Sequence, residues 1–266
     1  MIKITCLIEN IVYKGGLLGE HGLSFHIDTG THSVLFDTGQ TGNFAKNASR
    51  LGIDISKVDA VVLSHGHYDH SGGLATFLEL NKTAKIYLKK EALSAKYNGM
   101  KPIGFLYENL NFESRFKFLK GKSEIVPNVY AICSIPIINN DDTHWKHFFT
   151  EKAGQKIPDC FNDELFLAIV NNSKLSVLSS CSHRGITNIM RAATHNIDLP
   201  IQLVAGGFHL KDSHPDSLKP IVKDFKTLKP EKIGVCHCTG LEHYELLKKE
   251  FPEECFYFHT GISIEL

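Results

Sequence analysis

Residues 61–70 read Val-Val-Leu-Ser-His-Gly-His-Tyr-Asp-His, an apolar run that resembles a buried β-strand and passes directly into a cluster of metal-ligand side chains. Those side chains are His65, His67, Asp69 and His70. Because His65 and His67 lie two positions apart, an extended backbone sends both imidazoles to the same side. A turn at Tyr68 can then direct the next two side chains to a second ion. The stretch therefore predicts half the ligands of a dinuclear metal centre.

Three later strand-like runs also end in histidine. They read Val-Leu-Ser-Ser-Cys181-Ser-His183, Leu-Val-Ala-Gly-Gly-Phe-His209 and Ile-Gly-Val-Cys-His237. Since α/β folds place their sites where strand ends gather at one edge of a sheet, these side chains are expected to converge. Imidazole together with carboxylate suits zinc, iron or manganese.

Composition narrows the class of partner. Lysine plus arginine equals aspartate plus glutamate at 29 each, so the formal net charge is zero and no basic stripe for nucleic acid is expected. No apolar run reaches the ~18 residues of a membrane span, and the alternating start does not resemble a signal peptide. Seven irregularly spaced cysteines are typical of reduced thiols, which predicts a cytoplasmic protein. A small molecule is thus the expected partner.

Hydrophobic periodicity predicts a change of organisation along the chain, with strands joined by hairpins early and strands alternating with helices later. Predicted strands cover residues 2–8, 23–27, 33–36, 58–63, 85–88, 129–132, 165–170, 175–179, 201–205, 233–235, 255–258 and 262–264. Predicted helices cover 42–51, 72–80, 186–195, 217–227 and 242–249, and residues 92–122 are expected to be irregular helix and loop. The pattern indicates an α/β fold, an αββα sandwich of two mixed β-sheets flanked by helices, as one domain over residues 1–266.

The stretch SHGHYDHSGG at 64–73 is similar to the HxHxDH signature of the metallo-β-lactamase superfamily. LFDTG at 35–39 resembles that family's strand-end aspartate, which implies that Asp37 braces the metal loop. EHGLS at 20–24, CSHRG at 181–185, GGFHL at 206–210 and HCTG at 237–240 together resemble one subgroup. That subgroup contains a dihydropterin–ribosylaminobenzene-phosphate synthase and many metal-dependent hydrolases. The resemblance implies two divalent transition-metal ions, zinc first, with iron or manganese as alternatives.

The predicted ligands are His65, His67, Asp69, His70, His183 and His237. Cys181 as a thiolate bridge is the alternative to His183, whereas Cys236 and Cys238 are expected to point the other way as core residues. His209, after two glycines that suggest close approach to a ligand, is a further ligand, a proton donor or a packed core histidine. His21 is assigned to the pocket rim. Surface or packing positions are predicted for histidines 26, 32, 144, 147, 195, 214, 243 and 259.

The expected function is hydrolysis of a small phosphoester, or less readily a lactone or thioester, by a hydroxide held at the dinuclear centre. Asp69 would orient the water, and His209 would protonate the leaving group. A synthase-type transferase that releases pyrophosphate is the alternative with the same site. A flavodiiron-like redox centre is disfavoured because that type usually has glutamate where His67 stands. A purely structural zinc site is disfavoured because such sites favour closed cysteine and histidine sets.

Overall fold

The computed structural model describes residues 1–105, 113–211 and 213–266. Their contacts divide into two compact units. Unit 1 comprises Met1–Lys120, Trp145–Glu164 and His259–Leu266, and unit 2 comprises Gly121–His144 and Leu165–Phe258. The expectation of one domain over residues 1–266 stays a prediction.

In chain order the first nine strands are β1 (Lys3–Ile8), β2 (Ser24–Asp28), β3 (Ser33–Phe36), β4 (Ala60–Val62), β5 (Lys85–Leu88), β6 (Lys96–Asn98), β7 (Lys101–Pro102), β8 (Phe116–Phe118) and β9 (Lys122–Val126). The others are β10 (Val129–Ile132), β11 (Phe148–Lys152), β12 (Gln155–Pro158), β13 (Phe166–Asn171), β14 (Lys174–Leu178), β15 (Ile201–Gly206), β16 (Ile233–Val235), β17 (Cys255–Tyr257) and β18 (Ser263–Glu265). The α-helices are α1 (Asn43–Arg50), α2 (Tyr68–Ser71), α3 (Leu74–Leu80), α4 (Ile186–Asn196), α5 (Leu218–Leu228) and α6 (Leu241–Glu250).

Unit 1 contains a seven-stranded mixed sheet in the order β18-β1-β2-β3-β4-β5-β8. Pairing is antiparallel from β18 to β3 and parallel from β3 to β8. Leu35 on β3 and Val61 on β4 share a buried cluster with Phe44 of α1 and Phe77 of α3. This apolar face holds the carboxyl ends of β3 and β4 side by side, where the first candidate ligands begin.

A smaller four-stranded sheet of unit 1, in the order β12-β11-β6-β7, lies beside the loop after β4. The Tyr68 amide donates to the carbonyl of Ile103 at 3.0 Å, and an isolated bridge joins His67 to Gly104. The loop that carries the histidines is thus tied by backbone hydrogen bonds to the segment after β7.

Unit 2 is built around a second seven-stranded mixed sheet, in the order β9-β10-β13-β14-β15-β16-β17. Pairing is antiparallel from β9 to β14 and parallel from β14 to β17. Because β14, β15 and β16 run parallel, their carboxyl ends reach the same edge of this sheet. Cys181 and His183 follow β14, His209 follows β15, and His237 follows β16.

The two large sheets repeat one pattern of pairings, three antiparallel followed by three parallel. β3 and β14 occupy the same place in this pattern, as do β4 and β15. Candidate site residues follow all four of these strands. The repeat is structural, and the amino-acid sequence shows no clear trace of it.

The α/β class with two mixed sheets and helices is confirmed, and each predicted strand and helix outside residues 92–122 has a counterpart shifted by a few residues at its ends. Over residues 92–122 the described part contains loops and a 3₁₀ turn at Glu113–Arg115, but it also forms the short strands β6, β7 and β8, which were not predicted; residues 106–112 lie outside the described residues. Strands β9, β11 and β12 were not predicted, because their polar, partly exposed sequences lack the apolar alternation of a core strand. Among the described residues, none of the helices is both long and apolar enough to cross a membrane.

Candidate metal centre

Asp37 ties the loop after β4 to the end of β3. Its Oδ1 accepts a hydrogen bond from the Ser64 amide at 2.7 Å, and its Oδ2 accepts one from the Ser64 hydroxyl at 2.7 Å. The same Oδ2 lies 2.9 Å from Nδ1 of His70. Asp37 is fully buried and adopts a left-handed backbone with φ of 61°. One carboxylate thus holds both ends of the segment from Ser64 to His70, in agreement with the bracing role that the sequence suggests.

These hydrogen bonds also decide which nitrogen of each ring carries the proton. Nδ1 of His65 lies 2.8 Å from the Ser64 hydroxyl, which already donates its hydrogen to Asp37, so the imidazole is the donor in this pair. Nδ1 of His70 likewise donates to Asp37, because a carboxylate only accepts. When either ring is neutral, Nε2 is therefore the nitrogen that carries the lone pair and can bind a metal.

His65 and His67 lie together in an environment that keeps them uncharged. Their ring centroids are 4.5 Å apart, and both side chains are buried. Burial, with smaller contributions from His70 and His67, lowers the pKa of His65 well below its usual value. Burial lowers the pKa of His67 to about 3, although Asp69 and Asp163 oppose the shift. A neutral imidazole binds a metal without first losing a proton.

Asp69 and His70 form a second pair beside the first. Asp69 Oδ2 lies 3.5 Å from Nε2 of His70 and 3.2 Å from Nε2 of His21, which is half-exposed. Burial lowers the pKa of His70, but the carboxylates of Asp69 and Asp37 outweigh it and raise that pKa to about 10. The surroundings of His70 therefore favour positive charge, which a bound divalent cation also supplies. The expectation that His21 borders the site agrees with its contact to Asp69.

A second brace of the same loop was not foreseen. The Gly66 amide, between His65 and His67, donates to Asp163 Oδ2 at 2.8 Å. The other oxygen of Asp163 accepts from Lys96 Nζ at 2.7 Å, and Lys96 Nζ also donates to Asp159 at 2.7 Å. All three charged side chains are buried.

Glycine is required at position 66, because a Cβ there would lie 2.1 Å from the Ala92 carbonyl oxygen. The side chains of Asp163 and Lys96 reach this loop from the segment before β13 and from β6, far away in sequence. Neither position can be recognised in the sequence, because an isolated aspartate or lysine among other polar residues matches no motif.

In unit 2, His183 is oriented by His144, for which a surface or packing position was predicted. Nδ1 of His183 lies 3.1 Å from the carbonyl oxygen of His144, so this nitrogen donates and Nε2 carries the lone pair. The His144 ring lies 5.5 Å from that of His209, and its Nε2 lies 3.3 Å from Asp142. Asp142 in turn accepts from the amide and hydroxyl of Thr187 at the start of α4. Of the two roles predicted for His144, surface or packing, its side chain takes the packing one, because it is only 10 % exposed.

The strand ends of unit 2 bring the other candidates together. The donor atoms of Cys181, His183 and His209 lie within 4.8 Å of one another, and so do those of Cys181, His237 and Cys238. The ring centroids of His183 and His209 are 4.3 Å apart. Burial raises the pKa of the Cys238 thiol, but its neighbours Cys181, His237 and His209 outweigh burial and hold that pKa well below its usual value.

Two expectations about this cluster are corrected. Cys238 does not point away from His237, because residues 237–239 form a short 3₁₀ turn in place of an extended strand. The close approach at the glycine pair is to protein atoms: a Cβ on Gly206 would lie 2.0 Å from the Ser179 carbonyl oxygen, and one on Gly207 would lie 2.5 Å from Cys238 Sγ. Cys236 is buried as expected.

The donor sets fit transition-metal ions. In unit 1 three imidazoles and one carboxylate are gathered, two of the rings with Nδ1 held by hydrogen bonds and Nε2 buried. In unit 2 the candidate donors are imidazoles and thiols, again with Nε2 of His183 buried. Nitrogen, carboxylate and thiol ligands of this kind suit zinc and its neighbours better than magnesium or calcium.

Comparison with known proteins finds relatives that are similar over nearly the whole chain. The sequence pattern described as the metallo-beta-lactamase superfamily matches residues 18–147. An uncharacterized protein of Methanocaldococcus jannaschii, MJ0448, is 32% identical, with 98% of each chain covered. The 7,8-dihydropterin-6-methyl-4-(beta-D-ribofuranosyl)-aminobenzene-5'-phosphate synthase of the same organism is 28% identical, with 99% of this chain and 96% of the relative covered.

A solved structure is similar over the full length as well. It is that of Tm1679, described as a metal-dependent hydrolase of the beta-lactamase superfamily. Its sequence is 34% identical, 100% of this chain and 99% of the other are covered, and the TM-score is 0.90. The similarity therefore extends past residue 147 to the strand ends that carry His183, His209 and His237.

Proposed function

The chain belongs to the metallo-β-lactamase superfamily, and on that premise we propose that it is a metal-dependent hydrolase of small phosphoesters, with lactones or thioesters as lesser alternatives. The proposed centre binds two divalent transition-metal ions, and zinc is the favoured metal. Its ligands are His65, His67, Asp69, His70, His183 and His237. The observation that carries the proposal is a pair of hydrogen bonds, from Nδ1 of His65 to the Ser64 hydroxyl and from Nδ1 of His70 to Asp37, which makes Nε2 the metal-binding nitrogen of each neutral ring.

A pair of divalent ions bound there would lower the pKa of a water toward about 7 and polarise a phosphoryl or carbonyl oxygen. The protein side chains bind the ions and direct the water and the proton. Asp69, whose carboxylate faces His70 and His21, is proposed to orient the attacking water through its second oxygen. His209 is proposed to give a proton to the leaving oxygen, since its ring lies beside that of His183, with centroids 4.3 Å apart.

The balanced charge of the chain supports a small-molecule substrate rather than a nucleic acid. Reduced cysteines support a cytoplasmic location as part of the same proposal.

A second candidate function uses the same residues for transfer. The 28% identical relative is a synthase whose name describes a product in which a dihydropterin methyl group is joined to a ribosylated aminobenzene phosphate. In such a reaction the amino nitrogen of the aminobenzene would attack the pterin methyl carbon, pyrophosphate would leave that carbon, and the amine proton would be released. The similarity over 99% of this chain is the observation that favours this alternative.

One experiment separates the two candidates. Zinc-loaded protein would be incubated with aryl phosphomonoesters, phosphodiesters, lactones and thioesters, and separately with a pterin methyl diphosphate and the aminobenzene ribosyl phosphate. Hydrolysis of a phosphoester with no pyrophosphate release from the pair is the expected result. Pyrophosphate release that requires both members of the pair, with no ester hydrolysis, would replace the hydrolase proposal by the transferase.

Asp37→Asn is expected to weaken metal retention more than folding. Asparagine has the same size and tolerates the left-handed backbone at this position. Its NH₂ group, however, faces a donor where Asp37 accepts from Ser64 and His70. Loss of such an outer partner typically costs about 10- to 100-fold in metal affinity or activity. Competition with a chromophoric chelator measures the affinity, and a wild-type value would show that Asp37 does not support the metal loop.

Asp163→Asn is expected to lower metal affinity toward the smaller end of the same range of about 10- to 100-fold. The reason is that Gly66 loses a charged acceptor that Lys96 holds in place. Asp224→Asn is a matched control, because buried Asp224 of unit 2 accepts two hydrogen bonds from Arg191 at 2.7 and 2.8 Å. Both variants should lower the melting temperature, but only Asp163→Asn should release metal faster. Equal metal release from the two variants would assign Asp163 a purely structural role.

A further inference from the structure

Cys181 has a special position among the donors of unit 2. It lies within 4.8 Å, donor atom to donor atom, of His183 and His209 on one side and of His237 and Cys238 on the other. No other residue in the described part of unit 2 belongs to both groups. A thiol at this point can reach an ion bound by His183 or one bound by His237.

The backbone around the two cysteines is shaped to bring their sulfur atoms into the cluster. Cys238 lies in the 3₁₀ turn after β16, where it approaches the Cys181 carbonyl oxygen to 3.6 Å. Its sulfur takes the space that a side chain at Gly207 would fill. Next to Cys181, Ser182 has a left-handed backbone, and its hydroxyl donates to the Gly207 carbonyl at 2.7 Å.

This environment differs from that of an ordinary core cysteine. Cys255 of the same unit is also fully buried, but it lies on strand β17 and belongs to none of the donor groups. Cys181, in contrast, lies at ligand spacing from imidazole nitrogens of both donor groups, and Cys238 lies at that spacing from His237. Thiolate sulfur is a preferred ligand of zinc, whereas carboxylate and carbonyl oxygens suit manganese or magnesium.

We propose that Cys181 and Cys238 are thiolate ligands of the metal centre, with Cys181 shared between the ions that His183 and His237 bind, while His209 keeps its proposed role as proton donor. The inference rests on the proposed function, since it requires that the chain bind metal. When an ion binds, each thiol loses its proton to solvent and a sulfur–metal bond forms, with no oxidation or reduction. The donor set then favours zinc or cadmium over manganese and magnesium.

X-ray absorption of the zinc-loaded wild-type protein tests the proposal without any mutation. Zinc bound as proposed shows a zinc–sulfur shell at about 2.3 Å beside the zinc–nitrogen shell at about 2.0–2.1 Å. A spectrum that fits nitrogen and oxygen neighbours alone overturns the thiolate ligands but leaves the proposed function standing. Protein that binds no zinc overturns both.

Cobalt substitution assigns the sulfur atoms to residues. The cobalt-loaded wild type should show a near-ultraviolet thiolate-to-metal charge-transfer band. The band should weaken in Cys181→Ser and in Cys238→Ser and be lost in the double variant, while the control Cys255→Ser keeps it. A band of unchanged intensity in a folded double variant contradicts the proposal. If the double variant does not fold, the X-ray absorption spectrum of the zinc-loaded wild type decides whether sulfur binds the metal.

Discussion

Replacing His65 and His67 together with alanine is expected to abolish turnover and to remove one of the two metal ions. Both rings are buried with centroids 4.5 Å apart, and burial keeps both neutral, so the double substitution removes two imidazole donors that lie side by side. Without that ion the attacking water loses the activation that lowers its pKa toward about 7. The measurement is elemental analysis of the purified variant together with its rate on the best phosphoester.

The matched control replaces His195 and His214 with alanine, because both are exposed histidines of unit 2. This control should keep its metal and its rate. Circular dichroism of each variant separates loss of metal from loss of fold. A folded double variant of His65 and His67 that retains two ions and wild-type turnover would remove these residues from the centre.

His209→Ala is expected to keep its metal complement and to lose roughly 100- to 10,000-fold in rate, the usual range for general acid–base help. Its left-handed backbone, with φ of 51°, places the ring 4.3 Å from His183 and 5.5 Å from His144. A ring in that position can face the leaving oxygen of a substrate. The loss should shrink for an activated aryl ester, because its leaving group needs no proton.

The same measurement decides whether His209 is a ligand. Its donor atom lies within 4.8 Å of those of Cys181 and His183, so metal binding is the competing role. A His209→Ala protein depleted of metal, and slowed equally on both kinds of ester, would make His209 a ligand. Parallel variants His183→Ala and His237→Ala are expected to lose metal and to slow both substrates alike.

Much of the fold could be predicted because strand and motif lie together in sequence. The run from Val61 to His70 contains a buried strand, its end and the donors of unit 1. The role of Asp37 was implied by the resemblance of residues 35–39 to the family's strand-end aspartate, and the structure places it after a strand that pairs in parallel with β4. In unit 2 the convergence of His183, His209 and His237 follows from three parallel strands that end at one edge.

The remaining features of the site depend on contacts that no local pattern encodes. Asp163 reaches Gly66 across 97 positions, and Lys96 reaches Asp163 across 67. The placement of His144 depends on a backbone contact with His183 across 39 positions. Cys238 was misplaced because the alternation of an extended strand was carried past Val235, where the chain turns into a 3₁₀ segment.

The central claim is that this chain is a metal enzyme with two ions in one centre. Its most direct test is the metal content of carefully metallated, gel-filtered wild-type protein by elemental analysis, with protein concentration from amino-acid analysis. The account predicts close to two transition-metal ions per chain, lost together with activity on chelation and restored with it by zinc. A folded chain that binds no metal under these conditions would contradict the account.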